Sequence, residues 1–207
     1  MARSNAFRRV VVAELIKLAT LRIVPVTVVV TVVVMPVLAL AVDRRAVEFG
    51  QVGFLVLGVL TAATEYAGSQ IRTSLTAVPD RLVLLAGKVL AWLAVATPSA
   101  VLAAALSPGV PVLGAAAYLV LIGLFALAVA MVARSLVGAL ATVVTLVFVA
   151  SPLLGEVLRA AAYLPDRAGA VLYRPGPLSA VTGGLVLAAW LAAAFAVTGS
   201  VFARRDA

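Results

Sequence analysis

With 207 residues of which 65% are hydrophobic, the chain is too apolar for a water-soluble domain, which is nearer half apolar. It has no His and no Cys, which excludes imidazole acid–base catalysis, thiol chemistry, disulfides and the common haem and zinc sites. The formal charge of +8 reports topology before partners, because a membrane chain gathers its basic residues on one side.

Residues 4–20, SNAFRRVVVAELIKLAT, predict an interfacial helix. Phe7, Val11, Leu15 and Leu18 fall on one stripe, with Arg8, Arg9 and Lys17 off it. That pattern suits the headgroup region, where long basic side chains snorkel to water. The apolar block Ile23–Val42 follows this basic stretch as the core of a signal peptide would. Its length of about 20 residues, and Asp43-Arg44-Arg45 where a small-residue cleavage site would stand, make it a retained span. Further spans are predicted at 50–67, 86–106, 111–133, 136–154 and 179–202, making six. Gly50, Gly53, Gly58 and Thr61 dilute the second. No repeat or linker interrupts the pattern, so residues 1–207 read as one all-α polytopic membrane domain.

Between the second and third spans lies EYAGSQIRTSLTAVPDRLVLLAGK, residues 65–88. Ile71, Leu75 and Val78 give one apolar edge at helical spacing. Pro79-Asp80 ends that short helix, and Asp80 is placed to cap another beginning at Arg81. Physics alone leaves two readings: a surface presented to a partner, or a loop carrying charges that fix orientation. Glu65 near the end of the second span is likewise either a partner for Arg72 or for a basic residue of the first helix, or a solvated carboxylate at the headgroup boundary.

Orientation follows from the arginines and lysines. With both termini in the cytoplasm, eleven basic residues lie inside and five outside (Arg44, Arg45, Arg159, Arg167 and Arg174). Segment 68–85 is then cytoplasmic and the long loop 155–178 is outside. That loop opens on the amphipathic GEVLRAAAYL and is expected to be partly helical.

Small and hydroxylated residues inside the spans carry open alternatives. Thr27 and Thr31 on the first span, and Thr142 and Thr145 on the fifth, either face a transport path or bond back to their own helix carbonyls. Gly184, Ala188, Ala192, Ala196 and Ser200 recur every fourth residue on the last span, serving either packing within the chain or a dimer interface. Trp92 and Trp190 read as packing or interfacial anchors. No phosphate-binding GxxxxGK[ST] loop, HExxH or GxSxG occurs, so no catalytic residue and no metal site is expected, and the chain has no means of hydrolysing ATP.

The pattern Glu65-Tyr66, Ile71-Arg72, Leu75, Pro79-x-Arg81, Leu84 and Lys88 resembles permease subunits of bacterial type 2 ABC-type exporters. The opening Glu14-x-x-Lys17-Leu18-x-Thr20-x-Arg22 is similar to their N-terminal elbow helix. Where that family commonly shows Gly-Thr ahead of Ile71, this chain has Gly68-Ser69-Gln70, which moves the hydroxyl by one position. The resemblance implies an elbow helix, six transmembrane helices and a cytoplasmic coupling helix between the second and third. Ile71, Arg72, Leu75, Pro79, Arg81 and Lys88 would then couple to an ATPase. It further implies two ATPase subunits that bind ATP and magnesium, a second permease copy or paralogue, surrounding membrane lipid, no nucleic acid, and a place in the cell membrane. The alternatives are a membrane immunity or accessory-assembly protein and a small ion-driven transporter.

Overall fold

The computed structural model describes residues 2–67 and 81–204, with side chains placed for 7–62 and 82–201. Among the described residues there is no strand, and the chain is 88% helical. The long helices are α1 (Ala2–Thr20), α2 (Ile23–Val42), α3 (Ala46–Ala67), α4 (Arg81–Ala105) and α5 (Val112–Ala133). The rod α6 (Leu136–Val157), the short α7 (Pro165–Ala170) and α8 (Ala180–Arg204) complete the chain.

Five stretches are long and apolar enough to cross a membrane: Ile23–Ala62, Leu82–Ala105, Val112–Ala133, Leu136–Val157 and Ala180–Val201. The chain is therefore an all-α protein of transmembrane character. The first stretch is not one rod. It turns at the 3-10 segment Asp43–Arg45, where Asp43 takes a positive φ of 49°, and returns as α3. Gly50 lies opposite Met35 and Gly53 opposite Thr31, so α2 and α3 form an antiparallel hairpin. α3 starts at Ala46, earlier than the predicted residue 50, because the compact turn lets the helix begin at once.

α5 is the hub. It packs against α3, α4, α6, α7 and α8, and 13 of its 22 residues are buried. Its sequence, VLGAAAYLVLIGLFALAVAMVA, is apolar on every side, as a helix surrounded by others requires. Arg134 ends it in the left-handed conformation, φ 51°, and the Ser135 hydroxyl accepts from the Gly138 N–H at 3.2 Å to start α6. The break at 134–135 thus comes from local cap chemistry. Within α6 the segment Thr145–Ala150 is a π-helix. Pro152 just beyond it has no N–H to donate, which favours such a loosened turn.

The glycines that dilute the second predicted span prove to be its contact points. A Cβ on Gly58 would stand 2.2 Å from the Gly123 carbonyl oxygen, and one on Gly123 2.5 Å from the Trp92 ring. α3, α4 and α5 therefore meet backbone to backbone and backbone to indole, the close approach that small residues allow between helices in lipid.

At the far end of the bundle the loop region is partly helical, as expected; residues 156–160 are exposed, while its second half is largely enclosed. Pro165, Ala168, Gly169, Ala170 and Tyr173 are enclosed. A Cβ on Gly114 would reach 1.8 Å from the Leu172 carbonyl oxygen, and one on Gly183 2.2 Å from that of Ala168. These absences let α7 and the turn after it sink between α5 and α8.

Gly58→Ala and Gly123→Ala should each destabilise the bundle by about 1–3 kcal/mol, the usual cost of overpacking. Gly199→Ala, whose added carbon would meet nothing within 4 Å, should be neutral or mildly stabilising. Thermal unfolding in detergent checks all three.

Candidate functional site

α1 lies along α4 through a buried stripe of Val10, Glu14 and Leu18. The expected stripe of Phe7, Val11, Leu15 and Leu18 is rotated: Phe7, Val11 and Leu15 flank the contact half-buried. The cause is Glu14. A carboxylate enters an apolar interior only with a partner waiting, and Lys88 supplies one. A Cβ on Gly87 would stand 2.5 Å from the Val10 side chain, so Gly87 brings α1 close enough for that pairing.

Lys88 has no exposed surface, and its Nζ donates to Glu14 Oε2 at 2.8 Å. It also points toward the Thr61 carbonyl on α3 at 3.4 Å. Lys17 Nζ donates to Glu14 Oε1 at 3.1 Å from the partly exposed side. Thr61, fully buried, donates its own hydroxyl to the Leu57 carbonyl at 2.8 Å. One carboxylate thus ties α1 to α4, and one ammonium ties α4 to α3. In a low-dielectric interior such bonds are strong, and a broken one is costly.

This pairing joins residues 74 positions apart, which no spacing rule reveals. Glu14, Lys17 and Lys88 each stood in the sequence motifs, but nothing there connected them. Lys88, expected among the ATPase-coupling residues, is fully buried, its ammonium held inside by Glu14 and Thr61. Arg81 stands at the start of α4, and Asp80, read as its cap, lies outside the described residues. Ile71, Arg72, Leu75 and Pro79 lie outside the described residues, as does the side chain of Glu65, so the Glu65–Arg72 pairing does too.

The four threonines do not converge. Thr27 and Thr31 donate to the Ile23 and Thr27 carbonyls, each at 2.7 Å, beside a cleft between α2 and α3. Thr142 donates to the Gly138 carbonyl at 2.8 Å. It borders an open groove of about 400 Å³ between α5, α6 and α8, with Phe125, Val129, Trp190 and Val197. Thr145 is exposed in the π-helix. The Trp190 indole N–H, at the rim of that groove, donates to the Tyr163 carbonyl at 2.8 Å.

The stripe on α8 faces outward. Ala188, Ala192, Ala196 and Ser200 are exposed and Gly184 is half-buried. Packing within the chain uses the neighbouring line of Gly183, Leu187, Leu191 and Thr198. Periodicity alone located a small-residue face one position away from the contact.

At the opposite end, Arg174 pairs with Glu48, the Tyr118 hydroxyl donates to Gln51, and the Tyr118 and Tyr173 rings lie 5.1 Å apart. Ser151 donates to Asp166 Oδ2 at 2.6 Å. Burial pushes the Asp166 carboxyl above the usual carboxylate range, and the Ser151 hydroxyl offsets this only in part. Among the described residues no group of His, Cys, Asp or Glu could hold a metal ion. No protein-family profile matches the chain, and no characterised protein matches its sequence significantly.

Glu14→Gln or Lys88→Met alone should destabilise the chain by about 3–5 kcal/mol, since each strands a buried charge. The double variant Glu14→Leu/Lys88→Met should recover most of that loss, and chemical denaturation in mixed micelles measures the cycle. For Asp166, a raised folded-state pKa adds stability that is full below the unfolded pKa and lost as pH rises through the folded one. Relative to Asp166→Asn, the native chain should therefore gain thermal stability from neutral to acidic pH; a flat difference would contradict it.

Proposed function

We propose that the chain is the membrane-spanning permease subunit of an ABC-type exporter, working as a pair of permeases above two separate ATPase subunits. The observation that supports this best is the buried Glu14–Lys88 pair, which joins α1 and α4 at the end of the bundle where segment 68–80 connects α3 to α4. In this reading that segment holds the coupling helix, with Ile71, Arg72, Leu75, Pro79 and Arg81 against the ATPase. Force delivered there passes into α4 and, through the ion pair, into α1, so the two move as one body. Helices that move as rigid units suit alternating access.

In the same reading, α2 and α3 each cross the cell membrane and the helices make six crossings. Both termini are cytoplasmic, following the eleven-to-five charge distribution. The outer end is then the one closed by α7 and the Glu48–Arg174 pair. The energy comes from ATP and magnesium on the partner. The groove beside Trp190 and Phe125 favours a lipophilic or amphipathic cargo, since its Thr142 hydroxyl and Trp190 N–H are already engaged within the chain.

One observation favours the ion-driven alternative: Lys88 is an ionisable group buried within an apolar helix. It lies about 10 Å along α4 from Arg81 at the helical rise, near the end rather than mid-span. Its ammonium is also closed off by Glu14.

Proteoliposomes holding the purified chain alone should show no flux of amphipathic dyes with ATP or with an ion gradient. Adding the ATPase that copurifies from native membranes should start it, and the same ATPase with its phosphate-loop lysine replaced should not. Gradient-driven flux by the chain alone would establish the ion-driven reading instead, and failure of any ATPase to copurify would favour the accessory one.

A further inference from the structure

α1 has a second face. Turned away from α4, it exposes Arg8, Arg9, Val12, Ala13 and Ile16, which border a shallow open groove of about 510 Å³. The one acidic residue of α1, Glu14, is turned inward onto Lys88 and Lys17, so α1 offers no carboxylate to these arginines. Among the described residues, the helices packed against α1 offer none either: α4 carries only Arg81 and Lys88, and α2 carries no charge. The surface is positive and half aliphatic, with Val12 46% and Ile16 58% exposed.

We propose that this face binds an anionic membrane phospholipid. Arg8 and Arg9 hold the phosphodiester, because planar guanidinium forks match phosphate oxygens two at a time. Val12 and Ile16 follow Arg8 on one helical line at i+4 and i+8, and they cover the first methylenes of the acyl chain. The order, charge and then hydrocarbon along a single face, is that of a lipid. An acidic peptide would match the arginines and leave the aliphatics wet. Lys17 takes no part, since Glu14 holds it. The proposal rests on the membrane placement of the chain and is independent of the permease reading.

The test is lipid binding by the purified full chain in neutral detergent, followed by native mass spectrometry. Phosphatidylglycerol and phosphatidylcholine of identical acyl chains are titrated in parallel. Phosphatidylglycerol should bind at least about tenfold more tightly, and high salt should narrow the gap. R8Q/R9Q should weaken phosphatidylglycerol roughly 30-fold, to the level of phosphatidylcholine. R8K/R9K should retain part of the preference. V12S/I16S should weaken long-chain phosphatidylglycerol and spare a short-chain form, which separates lipid from bare phosphate. Equal binding of the two lipids, an unchanged preference in R8Q/R9Q, or full displacement of the lipid by millimolar inorganic phosphate would each overturn the proposal. Circular dichroism of R8Q/R9Q should match the native chain, since both arginines are exposed; if it does not, V12S/I16S decides.

Discussion

Glu14 and Lys88 meet inside an apolar bundle, and that meeting sets how the first third of the chain is arranged. A carboxylate and an ammonium cannot each enter hydrocarbon alone, so α1 must lie on α4 with Glu14 turned inward and in register with Lys88. The rotation of α1 follows, and with it the outward placement of Arg8, Arg9, Val12 and Ile16. Gly87, one residue from Lys88, lets the two backbones come close enough for a 2.8 Å bond. Buried pairs of this kind add little stability over an apolar replacement and are better suited to fixing register. Here the register fixed is that between the N-terminal helix and the helix that follows segment 68–80.

The remainder of the bundle is organised by the absence of side chains. In lipid, helices gain nothing from hiding apolar surface from each other and associate through close packing. Gly58 and Gly123 supply this at the centre, and Gly114, Gly169 and Gly183 at the capped end. The two ends differ in kind. One is held by an ionic node among three long helices, the other by a short helix wedged between two of them and tied by Arg174–Glu48 and Ser151–Asp166. A molecule built this way has a fixed middle and two chemically distinct ends.

Much of the architecture was legible in the residues. Uninterrupted apolar runs near the length of a bilayer announced the helices, whereas the breaks at Arg134-Ser135 and Asp43 rest on cap and turn chemistry that hydrophobic patterning does not single out. The partly helical character of 155–178 was likewise readable from GEVLRAAAYL. Faces were less legible. In α1 the inward line is Val10, Glu14 and Leu18, and hydrophobic periodicity places a Glu outside by default. In α8 the contact line is Gly183, Leu187 and Leu191, one step from the more regular Gly184 series. In a chain this rich in Ala, Val and Leu every face is apolar, so periodicity hardly distinguishes them.

What the sequence by itself determined is the medium: with 65% apolar residues in bilayer-length blocks, the chain folds as helices in lipid, because backbone groups there must be paired within their own segment. It also determined the ends of those helices, since caps, prolines and turns act over a few residues. Only the tertiary structure decided which residues meet. The Glu14–Lys88 pair spans 74 positions, and Tyr118 with Gln51 spans 67. Such pairings depend on how whole helices rotate and cross, and that is settled by the combined packing of every glycine contact and buried charge at once, information that no local pattern contains.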